Sequence, residues 1–434
     1  MAPLRHLPAQ SPGQVYRLVN RTTVDRHAVD CAFLWTLRDQ AVDSPRYRLD
    51  HLLPLDRRVD ANREGLALAG EEGWAACRDA LEAGDAGEVF AAALLAFATR
   101  RADRMRQACE AGLTVKDGER ALIAALAWLP PEPLAPVLAR LLDAGNPRLR
   151  RVALRAITIH RRDPEGALMA ALNSDDPEIL GAGARGLGEC GRRHAVPLLR
   201  MRLESAPARA RLPIAWSLAL LGEQDTLPLL AATVEAAGPD AELAMAVLLR
   251  AMPLAKGRQF LSSLSAHPGT ERLVIQGAGI LGDPVAVPWL IARMTDPGLG
   301  RLAGEAFSLI TGADLEYLDL DLDLDATPRG ASDGEEEEEE EGDALHPADR
   351  NLAMPDPARV STWWSDRTSS MTKGVRHLCG EPITPASIAQ TLRVGYQRQR
   401  RAAAFELALH AEDAPLFDVR AFGLSQQRAL QSCN

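Results

Sequence analysis

Four aspartates that alternate with leucine could bind a divalent cation: Asp319, Asp321, Asp323 and Asp325. A D-x-D-x-D series begins a calcium-binding loop, but that loop also requires a glycine at its sixth position and a glutamate at its twelfth. Neither residue stands at those positions in any register that begins at Asp319, Asp321 or Asp323. The sequence therefore predicts no metal site. The alternation itself indicates an extended strand or an acidic recognition segment.

Motifs for catalysis are missing from the rest of the sequence. The chain contains no G-x-x-x-x-G-K-[ST] phosphate loop, no G-x-S-x-G nucleophile turn and no H-E-x-x-H metal motif. Its six cysteines are scattered without a C-x-x-C pair, which excludes the usual zinc and disulfide patterns and fits a reducing cytoplasm. We therefore predict a protein without catalytic residues and without a cofactor.

The charge of the chain is concentrated in one segment. Residues 313–342 hold fourteen of the 59 acidic residues and only one arginine, so the net charge of −10 hides a remainder that is close to neutral. A nearly neutral remainder argues against a nucleic-acid reader and against a polybasic membrane surface. The sequence also lacks an N-terminal apolar signal region and any apolar run of about eighteen residues, which predicts neither secretion by a signal peptide nor a membrane span.

The strongest pattern is a repeat of prolines at nearly fixed spacing. Intervals of 30, 30, 32, 29 and 29 residues separate Pro147, Pro177, Pro207, Pro239, Pro268 and Pro297. A second series stands six residues after a glycine each time and opens an apolar run: Pro197, Pro228 and Pro288. Proline suits the first turn of a helix, and glycine commonly ends one. Each unit therefore predicts a helical hairpin of about thirty residues, and stacked hairpins predict an all-α solenoid.

The clearest copy of the unit reads ILGDPVAVPWL at residues 280–290 and is followed by Asp296-Pro297. This pattern resembles the HEAT-like repeat superfamily, in particular the short bacterial variety called PBS-lyase HEAT-like. The resemblance implies an α-α superhelix of about eight hairpins with helical caps. It implies no single function, because these repeats serve scaffolds, chaperone-like factors and some enzymes.

The patterns divide the chain into four predicted segments. Residues 1–55 form an N-terminal helical cap, residues 56–312 the solenoid, residues 313–354 an acidic linker and residues 355–434 a C-terminal helical domain. Within the linker, the repulsion among Glu335 to Glu341 predicts disorder, and competition for a basic partner surface is the alternative. The AFLWTLRD helix, AGEAFSLITGADL, the paired tryptophans and the closing QRQRRAAA together resemble a family of bacterial proteins often encoded beside type VI secretion genes.

The expected function is a non-catalytic, cytoplasmic scaffold or adaptor that binds another protein. We predict that second helices of the hairpins line the binding groove, with contact positions at Arg200, Arg202, Glu235, Arg293, Trp363, Arg398, Arg400 and Arg401. The family resemblance implies a secretion effector or a secretion component as the partner. An enzyme or lyase acting on a tetrapyrrole or a nucleic acid is the alternative, although Trp128, Trp216 and Trp289 lie in apolar helical runs and are predicted to be core. The sequence leaves open the partner, the binding face and the oligomeric state.

Overall fold

The computed structural model describes residues 19–82, 84–163, 166–322, 346–411 and 413–432. Within these ranges most of the chain is helical. Its α-helices are α1 Arg21–Ala41, α2 Leu49–Ala69, α3 Glu71–Leu81, α4 Ala86–Thr99, α5 Ala102–Thr114, α6 Gly118–Trp128, α7 Pro131–Leu142, α8 Pro147–His160, α9 Ala167–Ala171, α10 Pro177–Glu189, α11 Val196–Ser205, α12 Ala208–Leu220, α13 Leu227–Glu235, α14 Ala241–Ala251, α15 Leu254–Leu264, α16 Glu271–Leu281, α17 Val287–Arg293, α18 Gly300–Thr311, α19 Pro357–Arg367, α20 Pro385–Val394, α21 Gln397–His410 and α22 Gly423–Ser432. The strands β1 His377–Leu378 and β2 Glu381–Pro382 pair antiparallel.

The helices stack as two layers, which confirms the predicted all-α solenoid. The first-helix layer consists of the even-numbered helices from α4 to α18, each packed against the next. The second-helix layer consists of the odd-numbered helices from α5 to α17, each packed against a neighbouring first helix. At the N-terminal end α1 packs against α2 and α4 and continues the stack. In the described ranges no helix is both long and apolar enough to cross a membrane.

The repeated prolines begin several of the helices as the sequence predicts. Pro147 and Pro177 open α8 and α10, and the side chains of Asn146 and Asp176 accept hydrogen bonds from the free N–H groups of the first turn. Pro197, Pro228 and Pro288 lie in the first turns of their helices. The unit at Asp296-Pro297 differs, because there the Asp296 carboxylate closes a turn through Gly298 N and Leu299 N, and α18 begins only at Gly300.

Glycines inside the helices let successive hairpins approach closely. A Cβ added at Gly186 would lie 2.5 Å from Thr158 Oγ1 and 2.6 Å from Leu168 Cδ2. One added at Gly277 would lie 2.5 Å from Leu261 Cδ2. These separations are too short for a side-chain carbon, so any larger residue at either position would displace the neighbouring side chains.

The C-terminal segment, defined here as residues 346–411 and 413–432, lies across the first-helix layer. Its backbone is bonded to that layer at several points: His377 N donates to Gly282 O at 2.7 Å, and Leu416 N donates to Glu189 O at 2.8 Å. At the other end, Gln397 N donates to Tyr47 O at 2.7 Å, and α22 packs against α2. The segment therefore extends along the solenoid from α18 back to α2.

Two of the predicted segment boundaries fall inside packed structure. The boundary after residue 55 lies within α2, which is continuous because its leucines pack against α1 on both sides of that point. The predicted linker begins with ordered chain, since Leu315 and Leu320 are buried with Trp364 of α19. The glutamate run lies outside the described residues.

Candidate protein-binding surface

The C-terminal segment covers part of the first-helix layer, so a partner cannot bind to that part. The Glu406 carboxylate on α21 binds Arg250 of α14 at 3.1 Å and Arg376, next to β1, at 2.6 Å. Arg376 also donates to the carbonyl oxygens of Ile280 and Leu281. Arg250 and Glu406 are almost completely buried. These contacts fix the segment to α14 and α16 by charge as well as by backbone bonds.

A second buried ion pair fixes the end of the segment to the N-terminal helices. Arg38 on α1 binds Asp56 on α2 at 2.9 Å and donates to the carbonyl oxygens of Arg420 and Ala421. The other Asp56 oxygen accepts from Gly423 N at 2.6 Å. Burial raises the pKa of Asp56 even though Arg38 opposes that shift. The N-terminal helices and α22 therefore share one polar anchor.

The predicted basic cluster on α21 is engaged within the chain. Arg398 donates to the carbonyl oxygens of Asp43 and Ala348, and Arg401 pairs with the Asp43 carboxylate. Arg400 is fully buried and donates to Leu392 O at 2.7 Å, and it also binds two glutamine side chains. The prediction of Arg400 as a contact position is therefore wrong for this conformation, because no part of its side chain reaches the surface.

Three of the predicted contact positions lie on the second-helix layer. Arg200 on α11 is half exposed and pairs with Glu223 and Asp225. Arg202 donates to Leu172 O, and Glu235 is exposed at the end of α13. The structure does not bring these three together with Arg293 or Trp363 into one site. Their role as contact positions stays a prediction.

Trp363 lies against the core of the C-terminal end of the solenoid. Its ring meets Phe307 of α18 edge to face, with ring centroids 5.7 Å apart, and Arg367 lies over the same ring at 4.5 Å. The side chain is half-buried. Most of the Trp363 side chain is therefore covered by packing within the chain and is not available to a partner.

An apolar groove between α15 and α17 is a surface that the sequence analysis missed. It encloses about 320 Å³ and is lined by Leu261, Val274, Leu281, Val285 and Trp289, among others. Trp289 was predicted to be core, and the structure corrects this: 37% of the residue is exposed, and so is 47% of Val285. By contrast Trp128 and Trp216 are buried as predicted.

Basic side chains lie on two sides of this groove. Arg293, one of the predicted contact positions, is exposed one helical turn after Trp289, with its guanidinium 5.8 Å from the ring centroid. Arg258 of α15 lines the groove from the facing helix and is exposed. The carboxylate of the groove wall, Asp283, is buried and paired with Arg258. The groove thus presents an apolar floor, an indole and basic side chains at its edge.

No group of histidine, cysteine, aspartate and glutamate in the described ranges is arranged to hold a metal ion. Buried thiols are equally unsuited to chemistry. Burial raises the pKa of Cys77 to about 12 and that of Cys379 to about 12, and thiols of such high pKa carry almost no thiolate near neutral pH.

Comparison with known proteins finds a similarity within the solenoid. Residues 165–248 match the family model for HEAT repeats, which corresponds to the solenoid from α9 to α14. This part of the chain is therefore similar to HEAT repeats, which commonly serve as scaffolds for protein–protein interactions. No curated protein matches the chain. No solved structure matches it either.

Proposed function

We propose that the chain is a non-catalytic, cytoplasmic scaffold or adaptor that binds another protein through the groove between α15 and α17. The observation that carries this proposal is the half-exposed Trp289, with Arg293 above it, beside an apolar depression. Tryptophan and arginine are the residues most enriched at the centres of protein interfaces. The first-helix layer offers a partner less accessible surface, because the C-terminal segment lies across it.

The chemistry of the groove indicates the kind of partner segment. An apolar side chain would enter beside Trp289 and Val285, where it would be removed from water. Acidic residues on either side of it would meet Arg258 and Arg293, which would favour encounter and orientation. The occupant that fits is therefore an apolar residue flanked by acidic ones.

The sequence resemblance to proteins encoded beside type VI secretion genes suggests which partners to test first. These are the products of the neighbouring genes, including secreted effectors. Each would be measured against the purified full chain by biolayer interferometry, and bound partners would then be tested against variants of the groove.

Trp289→Ala is the decisive variant. Loss of an interface hot spot costs about 2 kcal/mol or more, so we expect the dissociation constant to rise at least about thirtyfold. Met201→Ala, which removes an exposed apolar side chain from α11 outside the groove, is the matched control and should bind normally. A partner whose affinity is the same for Trp289→Ala and for the unchanged chain would refute the assignment of the groove.

A further inference from the structure

A cavity of about 650 Å³ lies between the first-helix layer and the C-terminal segment. One side is formed by α1, α6, α8, α10 and α14, and the other by α21 and residues 416–422. The cavity shares no lining residue with the groove between α15 and α17. Its volume lies in the range of sites that enclose a small organic molecule.

Three arginines on the cavity wall share a single carboxylate. Glu189 accepts from Arg185 at 2.8 Å, from Arg155 at 3.1 Å and from Arg161 at 3.4 Å. Burial alone would raise the pKa of Glu189, but the three guanidiniums lower it to about 2. The carboxylate is therefore ionised, and the cluster of four side chains carries two positive charges in excess.

Hydrogen-bond donors in this cluster exceed the acceptors that the protein supplies. Arg155 and Arg185 each donate a single hydrogen bond to the part of the chain that the structure describes. A guanidinium has five N–H groups, so most of the donors of both side chains remain for another acceptor. On another part of the wall, Arg120 is paired only with Asp39 among the described residues, at 2.5 Å.

The acidic residues of the wall do not compensate for this excess. Asp39 is held by Arg120 and also by Arg420, at 2.6 Å. Glu242 accepts from Gln276 Nε2 at 2.8 Å, and Asp418 accepts from the backbone N of Arg420 at 2.9 Å. Each of these carboxylates already has a donor, whereas most N–H groups of Arg155 and Arg185 have no acceptor among the described residues.

The remaining wall is apolar. Ile123, Ile159, Leu243 and Phe405 contribute side chains from four different helices. Trp128 also lines the cavity, and its indole N–H has no acceptor within the described ranges. A ligand that satisfied the arginines would therefore also find a surface for a hydrophobic or aromatic part.

We propose that this cavity binds a small organic anion. Its phosphate, sulfonate or carboxylate group is held by Arg155 and Arg185, with Arg120 as a further donor. Its apolar part packs against Ile159, Leu243 and Phe405. Bidentate guanidinium contacts to such oxygens are strong and directional.

A pair of fluorescent probes tests the proposal on the full chain. The anion 8-anilinonaphthalene-1-sulfonate and the neutral N-phenyl-1-naphthylamine have the same ring system and differ in the sulfonate. We expect saturable binding of the anion with one site per chain, weaker binding of the neutral probe, and displacement of the anion by inorganic pyrophosphate. Equal or tighter binding of the neutral probe, or no saturable binding of the anion, would overturn the proposal.

Variants then locate the site. The double substitution R155Q/R185Q should weaken binding of the anion at least about tenfold, the change that about 1.4 kcal/mol produces, and leave the neutral probe unaffected. Arg26→Gln, which changes an exposed arginine of α1 outside the cavity, should have no effect. Trp289→Ala should also bind the anion normally, which separates this site from the groove.

Folding of the double variant is checked by circular dichroism, because Glu189 retains only Arg161 there. If that variant unfolds, Arg120→Gln takes its place, since Arg120 is half exposed and lies outside the Glu189 cluster. A folded variant of either kind that binds the anion as tightly as the unchanged chain would place the probe elsewhere and refute the site.

Discussion

Replacing Glu406 with glutamine should release the C-terminal segment from the solenoid. The Glu406 carboxylate pairs with two guanidiniums at once, Arg250 at 3.1 Å and Arg376 at 2.6 Å. Burial lowers the pKa of Arg250 to about 10 even beside Glu406, which shows how strongly this environment disfavours an uncompensated charge. Glutamine keeps the shape of the side chain and removes only its charge.

The expected cost follows from leaving two buried cations without a counter-ion. Removing one partner of a buried ion pair typically costs about 3–5 kcal/mol. The cost falls on the state in which the segment is docked, because the detached segment exposes Arg376 and Glu406 to water. The equilibrium for detachment should therefore rise by a factor between about one hundred and several thousand.

Amide hydrogen exchange in α21 measures this equilibrium directly, because exchange there requires opening of the segment. Exchange of α21 amides should accelerate by the same factor in Glu406→Gln. Glu132→Gln is the control, since Glu132 forms an exposed pair with Arg162 that contributes little to stability. Exchange in α21 that is equal in Glu406→Gln and in the unchanged chain would refute the role of this ion pair.

Further predictions concern packing, pH and reactivity. Gly186→Ala should lower the free energy of unfolding by about 1–3 kcal/mol in chemical denaturation, because its Cβ would overlap Thr158 and Leu168, whereas Gly145→Ala meets nothing within 4 Å and should be nearly neutral. Because the pKa of Glu189 is about 2 when folded and near 4.5 when unfolded, its contribution of about 3 kcal/mol is complete above pH 4.5 and is lost as the pH falls towards 2. The stability difference between the unchanged chain and Glu189→Gln should accordingly shrink between pH 6 and pH 3, and a constant difference would contradict the assignment. Cys77, whose pKa burial raises to about 12, should react with a thiol reagent at pH 8 only after unfolding, and rapid reaction of the native chain would show that the N-terminal helices open.

The sequence was sufficient to predict the helical repeat because each proline and each capping residue acts within one hairpin. Asn146 and Asp176 cap the helices that begin at the next residue, and those hydrogen bonds need no distant partner. The predicted fold class follows from such local rules combined with their spacing. The C-terminal segment has no equivalent repeat, and its position on the first-helix layer depends on contacts between residues more than a hundred positions apart, such as Arg250 with Glu406.

Trp289 and Arg400 show why individual site residues were harder to predict than the fold. In α17, Val287 and Leu290 fall on one helical face and are buried, whereas Trp289 lies between them in sequence and faces outward. A short run in which most residues are apolar cannot reveal which of them is exposed. In the sequence QRQRR, Arg400 resembles part of a basic surface. In the fold it is buried, and one of its acceptors, Gln426, lies on another helix.

The position of the C-terminal segment changes what the solenoid can use for recognition. An uncovered array offers a partner its inner layer, where successive helices are closest together. Here the chain's own segment covers that layer, held by Arg250 of α14 and by Arg38 of α1, and the space between them is large enough to hold a small molecule. Arg161 joins the two features, because it contacts Glu189 of the cavity wall and also donates to Leu416 O of the segment. A ligand bound to the Glu189 cluster would therefore lie next to Arg161, which also helps to hold the segment in place. A protein bound at Trp289 would not contact that side chain.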